Sequence, residues 1–303
     1  MATRAANPPS RLQFARELFT KTFANWSEDN VPRLAAAFSF YAVLSLAPLL
    51  VLAVVAAGLF YGQGEAQTEL LRQAQGAVGR QGASLLKELI ENANKPGATA
   101  IATIFSLVVT FFSASNLFIQ LNEAVNAIWG IKQEGSMFRN LILSRVAAFL
   151  GVVVFGLVVL GWLTLDAWLQ WLHRNTGELA GAEQVSVTLW KFLSFAVTLL
   201  VLTGAFGVSF KGLPKGRVQW SDVWLPAFVT ALGFAVSKLL LSYYFGFAGV
   251  ATAYGSAGAL VVILLWIYYT SQIYFFGVEM VYTYSHTRGS LVGKDSKAAP
   301  QYS

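Results

Sequence analysis

Long apolar runs separated by short polar joints set the layout of this chain. The pattern predicts six runs: about Leu34 to Phe60, Ala98 to Trp129, Leu141 to Leu165, Val187 to Phe210, Asp222 to Phe247 and Ala257 to Met280. At 1.5 Å per residue each can cross a ~30 Å hydrocarbon layer as one helix. The last is the clearest: Ala257 to Gly277 carries no formal charge, and a glycine-rich stretch (Gly246, Gly249, Gly255, Gly258) leads into it. Such backbone is stable at membrane depth only when packed in protein or lining a wet cavity. The fold class that follows is all-α, a polytopic membrane helical bundle with six transmembrane helices plus short amphipathic surface helices.

The joints carry their own signals. Arg11 to Trp26 places Leu12, Ala15, Phe19, Phe23 and Trp26 at helical spacing, with Arg16 and Lys21 elsewhere on the wheel. That is an amphipathic helix suited to the headgroup region. Asp29, Asn30 and Pro32 form a helix-start signal. Pro48 predicts a break or kink in the first span, with Tyr41 and Ser45 on its face able to satisfy the freed carbonyl. Tyr61 to Lys95 is polar and Gln-rich, and its leucines predict one or two short surface helices. A basic loop, KGLPKGRVQW, precedes Asp222, read as the cap of the fifth span. The chain divides into a tail and interfacial helix (1–28), a six-span domain (29–285) and a flexible tail (286–303).

Composition narrows the class further. Of 303 residues 56% are hydrophobic and 12% charged, against about 25% charged in a soluble domain. Mean hydropathy is +0.57, so no separate soluble domain is expected. The net charge of +6 would suggest nucleic acid in a soluble protein. Here Lys and Arg retained in cytoplasmic loops explain it, and no nucleic-acid partner is expected. Fourteen of the 21 Lys and Arg fall on the side of both termini and six on the other, with Lys238 inside a span. Both termini are therefore placed in the cytoplasm. Cysteine is absent, which excludes disulfides and thiolate metal sites. No small-residue cleavage site precedes the first span, which is read as an uncleaved anchor.

Four stretches carry a resemblance: DNVPRLAAAFSFYAVLSLAPLL (Asp29 to Leu50), SASNLFIQLNEAVNAIWG (Ser113 to Gly130), the basic loop with WSDVWLPA (Trp220 to Ala227), and AYGSAGALVVILLWIYYTSQIYFFGVEM. In this order they resemble the YihY/virulence factor BrkB family of bacterial inner-membrane proteins. The resemblance implies six spans, inner-membrane localisation and a link to envelope integrity and resistance to host killing. It brings suggestions of export of lipid or other envelope material, and an old ribonuclease BN label. Val278 departs from the family's usual GAE triplet.

The residues do not support the ribonuclease label. A zinc-type phosphodiesterase needs clustered His and Asp ligands, whereas His173 and His286 lie far apart and are read as solvated loop residues. No metal, no cofactor and no catalytic pair is expected, so the chain is read as a non-enzyme. The strongest polar feature is the second span, where Ser113, Asn116, Gln120 and Glu123 are spaced 3, 4 and 3, with Asn122 and Asn126 on the adjacent column. This face is either a helix glued to neighbours by amides or the wall of a hydrated cavity. Gln272 and Glu279 share a face of the sixth span, Glu279 near the cytoplasmic surface. Glu123 and Glu279 could meet Arg33 and Arg145 there, as an ion-pair network or as a gate. Lys238 either snorkels outward, pairs with Asp166 or the Glu65/Glu69 pair, or binds an anionic lipid headgroup. Gly255 and Gly258 open the sixth helix as an anion site or as close-packing residues. Membrane lipids are the implied partners, and homo-oligomerisation stays open. Asn116, Gln120, Glu123, Lys238, Gln272 and Glu279 thus mark a candidate substrate path for a transporter or exporter of lipid or envelope material. The alternative is a non-transporting envelope scaffold.

Overall fold

The computed structural model describes residues 11–93, 116–131, 161, 183–214, 218–247 and 257–293. Among them all regular structure is helical: α1 (Arg11–Glu28), α2 (Val31–Tyr61), α3 (Gln63–Ala93), α4 (Glu183–Gly212), α5 (Trp220–Phe247) and α6 (Gly258–Thr287), with a further helical stretch over 116–128. Among the described residues, three helical segments are long and apolar enough to cross a membrane: Phe192–Gly212, Trp220–Leu241 and Gly258–Thr287. A shorter apolar segment, Val31–Leu46, lies in α2. Their outer surfaces expose large apolar side chains, including Phe192, Leu200, Leu239 and Tyr243. Water would not tolerate so large an apolar surface, and acyl chains would. The second and third predicted spans fall largely outside the described residues.

The predicted joint between α1 and α2 is present: the chain turns at Asp29–Asn30, Asn30 adopts φ +52°, and α2 begins one residue before Pro32. Leu18 and Thr22 of α1 are buried, while Leu12, Phe19 and Phe23 stay exposed. Phe19 still meets Phe276 of α6 at 6.3 Å between ring centroids.

Two expectations are corrected here. Pro48 does not divide the first span, because α2 is one helix of 31 residues that runs through it. The segment after Tyr61 is not one or two short surface helices. It is the single 31-residue helix α3, reached by a turn at Gly62 (φ +85°). Leu86 of α3 packs with Ala42 of α2 and with Val262, Ile263 and Ile267 of α6. Because Leu86 follows the turn by about as many residues as Ala42 precedes it, α3 runs back antiparallel along α2.

The centre of the bundle is where α4, α5 and α6 converge. Phe206 and Phe210 of α4 contact Tyr274 of α6 at 6.1 and 5.4 Å between ring centroids. Ser209 and Tyr274 share a hydroxyl hydrogen bond of 2.6 Å, which satisfies a phenol that would otherwise be stranded in an aromatic cluster. Gly277 is the closest approach. A Cβ there would overlap Thr230 of α5 and come within 2.6 Å of Phe210. The Thr230 hydroxyl donates to the carbonyl of Pro226 at 2.7 Å, inside a helix where that proline has no N–H of its own.

Candidate functional site

The last turns of α6 form a polar core inside an apolar end of the bundle. Thr283 and Ser285 are buried beside Val31, Ala35, Val125, Ile128, Val278 and Val281. Glu279, one turn earlier, is fully buried at 0% exposure. Neutral polar groups in this core are held by short-range bonds. Asn25 of α1 donates to the Thr283 hydroxyl at 3.1 Å, and Ser285 donates to the carbonyl of Tyr282 at 2.9 Å. The His286 ring lies tilted against Tyr282 at 4.2 Å between centroids, and its Nδ1 lies 2.8 Å from the Tyr282 carbonyl. A carbonyl can only accept, so Nδ1 carries the proton. His286 is therefore a packed helix residue and not the solvated loop residue the sequence suggested. His173 lies outside the described residues.

The 116–131 segment closes this core from the other side. Trp129 sits edge-on to Tyr282 at 5.4 Å. Asn126 is buried and donates to Asn122 at 2.6 Å, and Asn122 donates to the carbonyl of Leu213 at 3.4 Å. The amide column recognised in the sequence thus joins this segment to the end of α4. Of the neighbouring column, Asn116 and Glu123 are exposed and Gln120 is half-buried.

A second joint fixes the chain after α6. Asp222, in the first turn of α5, accepts from the backbone N–H and the hydroxyl of Ser290 at 3.1 and 2.6 Å, and from Ser221 at 3.1 Å. The sequence reading made Asp222 a cap for its own helix, but its principal partner is 68 residues away. Only glycine fits at 289, where a Cβ would come 2.7 Å from the Asp222 carboxylate. Leu291 is buried in the same core, and Arg288 lies over the Phe14 ring at 4.7 Å. Residues 286–293 are consequently folded structure, where the sequence placed the start of a flexible tail. Nothing local in the sequence marks Ser290 as a partner of Asp222. The small Gly289–Ser290 pair was the available hint.

The remaining predicted residues are dispersed. Arg33 is exposed, and Arg145 lies outside the described residues. Glu123 and Glu279 differ completely in burial, so they do not form one exposed cluster. Beyond Glu279, α6 continues eight residues to Thr287, about 12 Å. Gln272 is half-buried and Lys238 exposed. Lys238 makes no ion pair with a described residue, and Glu69 instead pairs with Arg72 at 2.6 Å. Gly258 is buried at the start of α6, where Ala257 supplies no side-chain cap. Gly255 lies outside the described residues. Among the described residues, no three His, Asp or Glu side chains gather as a metal would require.

Comparison with known proteins adds a relationship without a mechanism. The chain is 29% identical over 264 residues to the UPF0761 membrane protein RSc1559 of Ralstonia nicotianae, covering 84% of this chain and 56% of the relative. It is 26% identical over 284 residues to UPF0761 membrane protein PSPA7_4558 of Pseudomonas paraeruginosa, covering 91% and 64%. With YfkH of Bacillus subtilis, named as ribonuclease-like, identity is 21% over 270 residues, covering 89% and 94%. The chain therefore spans little more than half the length of the UPF0761 relatives. No solved structure matches it. The family model for virulence factor BrkB matches residues 22–301, nearly the whole chain, and this membrane protein belongs to that family.

Proposed function

We propose that the protein is a six-span transporter of the bacterial inner membrane, with both termini in the cytoplasm, and that it moves lipid or other envelope material. The observation that carries this reading is Glu279, a fully buried carboxylate inside a membrane-capable helix. An ionisable group at that depth is expensive and is kept where it serves a path or a switch. Around it lie the hydroxyls and amides of α1, α6 and the 116–131 segment, chemistry suited to a polar group passing between helices. Lys238, exposed within a span, marks the far part of the same path.

A scaffold reading has its own support. The Asp222–Ser290 and Asn126–Asn122 joints use polar groups purely to lock elements together. Reconstitution decides between the two. Proteoliposomes containing the wild type should move a fluorescent phospholipid between leaflets, and Lys238→Ala and Glu279→Gln should slow that movement at least tenfold without loss of helicity. Absence of both lipid and ion flux in the wild type would leave the scaffold.

A further inference from the structure

Six of the seven charged side chains of α3 lie on one face. At 100° per residue, Glu65, Glu69, Arg72, Arg80, Lys87 and Glu91 fall within an arc of about 100°. Leu71, Ala74, Leu85, Leu86 and Leu89 occupy the opposite side, against α2 and α6. The charged stripe is about 39 Å long, longer than a hydrocarbon core is thick. It carries three cations and three carboxylates. Two neighbouring pairs are formed within it, Arg72–Glu69 at 2.6 Å and Lys87–Glu91 at 3.7 Å. The stripe stays open: the Lys87 and Glu91 side chains are 57% and 54% exposed.

Its depth follows from the helix contacts. Phe38 of α2 packs beside the Leu86 cluster and meets Phe275 of α6 edge-on at 5.9 Å. Phe275 is two residues from Gly277, which abuts Thr230 of α5. Leu86 itself packs with Val262, Ile263 and Ile267, four to nine residues, about 6 to 14 Å, beyond the start of α6 at Gly258. Lys87, next to Leu86, therefore lies level with the Val262–Ile267 stretch of α6, inside the membrane-capable segment Gly258–Thr287. Ionised groups facing acyl chains at that level are strongly unfavourable, and such residues occur where they face a bundle interior or a water-filled cavity.

We propose that the charged face of α3 borders a water-filled groove cut through the membrane depth, and that the groove takes the zwitterionic headgroup of a phospholipid. Equal numbers of cations and carboxylates suit a ligand carrying both a phosphate and an ammonium group. The α2 helix against which α3 packs also exposes Phe40, Tyr41 and Leu44, apolar surface suited to acyl tails. Movement of the lipid rests on the transport reading above; the groove and its ligand do not.

The full chain has no cysteine, so single cysteines report without background. In proteoliposomes, Arg80→Cys, Lys87→Cys and Glu91→Cys should react with a trimethylammonium methanethiosulfonate at least tenfold faster than Leu44→Cys and Leu232→Cys. The reaction needs a hydrated thiolate. Bimane attached at the α3 sites should be quenched by nitroxides at mid-acyl-chain depth. Modification as slow as at Leu44, or quenching only by headgroup nitroxides, overturns the groove, and three sites keep the test intact if one variant misfolds. Dihexanoylphosphatidylethanolamine should slow modification severalfold, and dihexanoylglycerol should not. Equal protection by glycerophosphoethanolamine would assign the groove to a soluble solute, and no protection by any probe would overturn the headgroup assignment. Wild-type protein that shows protection without lipid flux would sink the transport reading alone.

Discussion

The α5–α6 contact and the α2–α3 contact are built on opposite principles. Where α5 meets α6, side chains of α5 press against glycine backbone of α6 and the turn after it. Gly277 lies against Thr230 and Phe210, Gly289 lies against Asp222, and the Ser290 turn is locked by two hydrogen bonds. Where α3 meets α2, one apolar stripe is buried and the remaining surface is charged and exposed. The first arrangement has no room to move. The second leaves its charged face open. A membrane bundle lacks a hydrophobic driving force between its helices, and close packing supplies most of its cohesion. The α5–α6 contact is therefore held by close approach, and the α2–α3 contact by one buried apolar stripe.

This contrast can be broken most sharply at Gly277. Gly277→Leu should prevent assembly, seen as loss of the monodisperse peak in detergent. Gly277→Ala should cost about 1–3 kcal/mol through overpacking. Gly207→Ala is the control: its added Cβ would meet its nearest neighbour at 3.7 Å, ordinary contact, and its melting temperature should barely change. Equal effects at the two glycines would refute the close-approach account.

Next in size is the apolar anchor of α3. Leu86→Ala should cost about 2–3 kcal/mol in thermal unfolding, from lost burial and the cavity left behind. It should also raise protease sensitivity within α3 while leaving the α5–α6 contact intact. Asp222→Asn should cost about 1–2 kcal/mol, because a charged acceptor of three bonds becomes a neutral one. Its distinguishing readout is faster proteolytic cleavage after Arg288.

The smallest effect belongs to the exposed stripe. The hydrogen bond from Arg72 holds the Glu69 carboxyl below its ordinary value, against the opposing effect of partial burial. A lowered folded-state value means that the pair contributes stability above the unfolded-state pKa and loses it as pH falls through the folded one. Both partners are well exposed, so Glu69→Gln should cost only about 0.2–0.5 kcal/mol at neutral pH. It should cost nothing once the medium is acid enough to protonate Glu69 in both states. A loss of several degrees in melting temperature would mean that the stripe is part of the frame.

What the chain determined unaided was its medium and its helices. Long uncharged runs with exposed aromatic and aliphatic side chains cannot be soluble, and the turn at Asn30 was legible because Asp, Asn and Pro act on their own backbone. The amide column at Asn122 and Asn126 was legible for a similar reason, since period fixes which residues share a face. Tertiary contacts decided the rest. Nothing within one turn of Asp222 names Ser290, and no periodicity says that Glu279 is buried while Glu123 is exposed. The polar helix α3 was the largest miss. It read as one or two short helices, and it forms one because its apolar stripe packs against α2 and α6, which lie elsewhere in the chain. Local chemistry fixes what a segment can be, and long-range packing fixes the depth and the neighbours at which its charges must be accommodated.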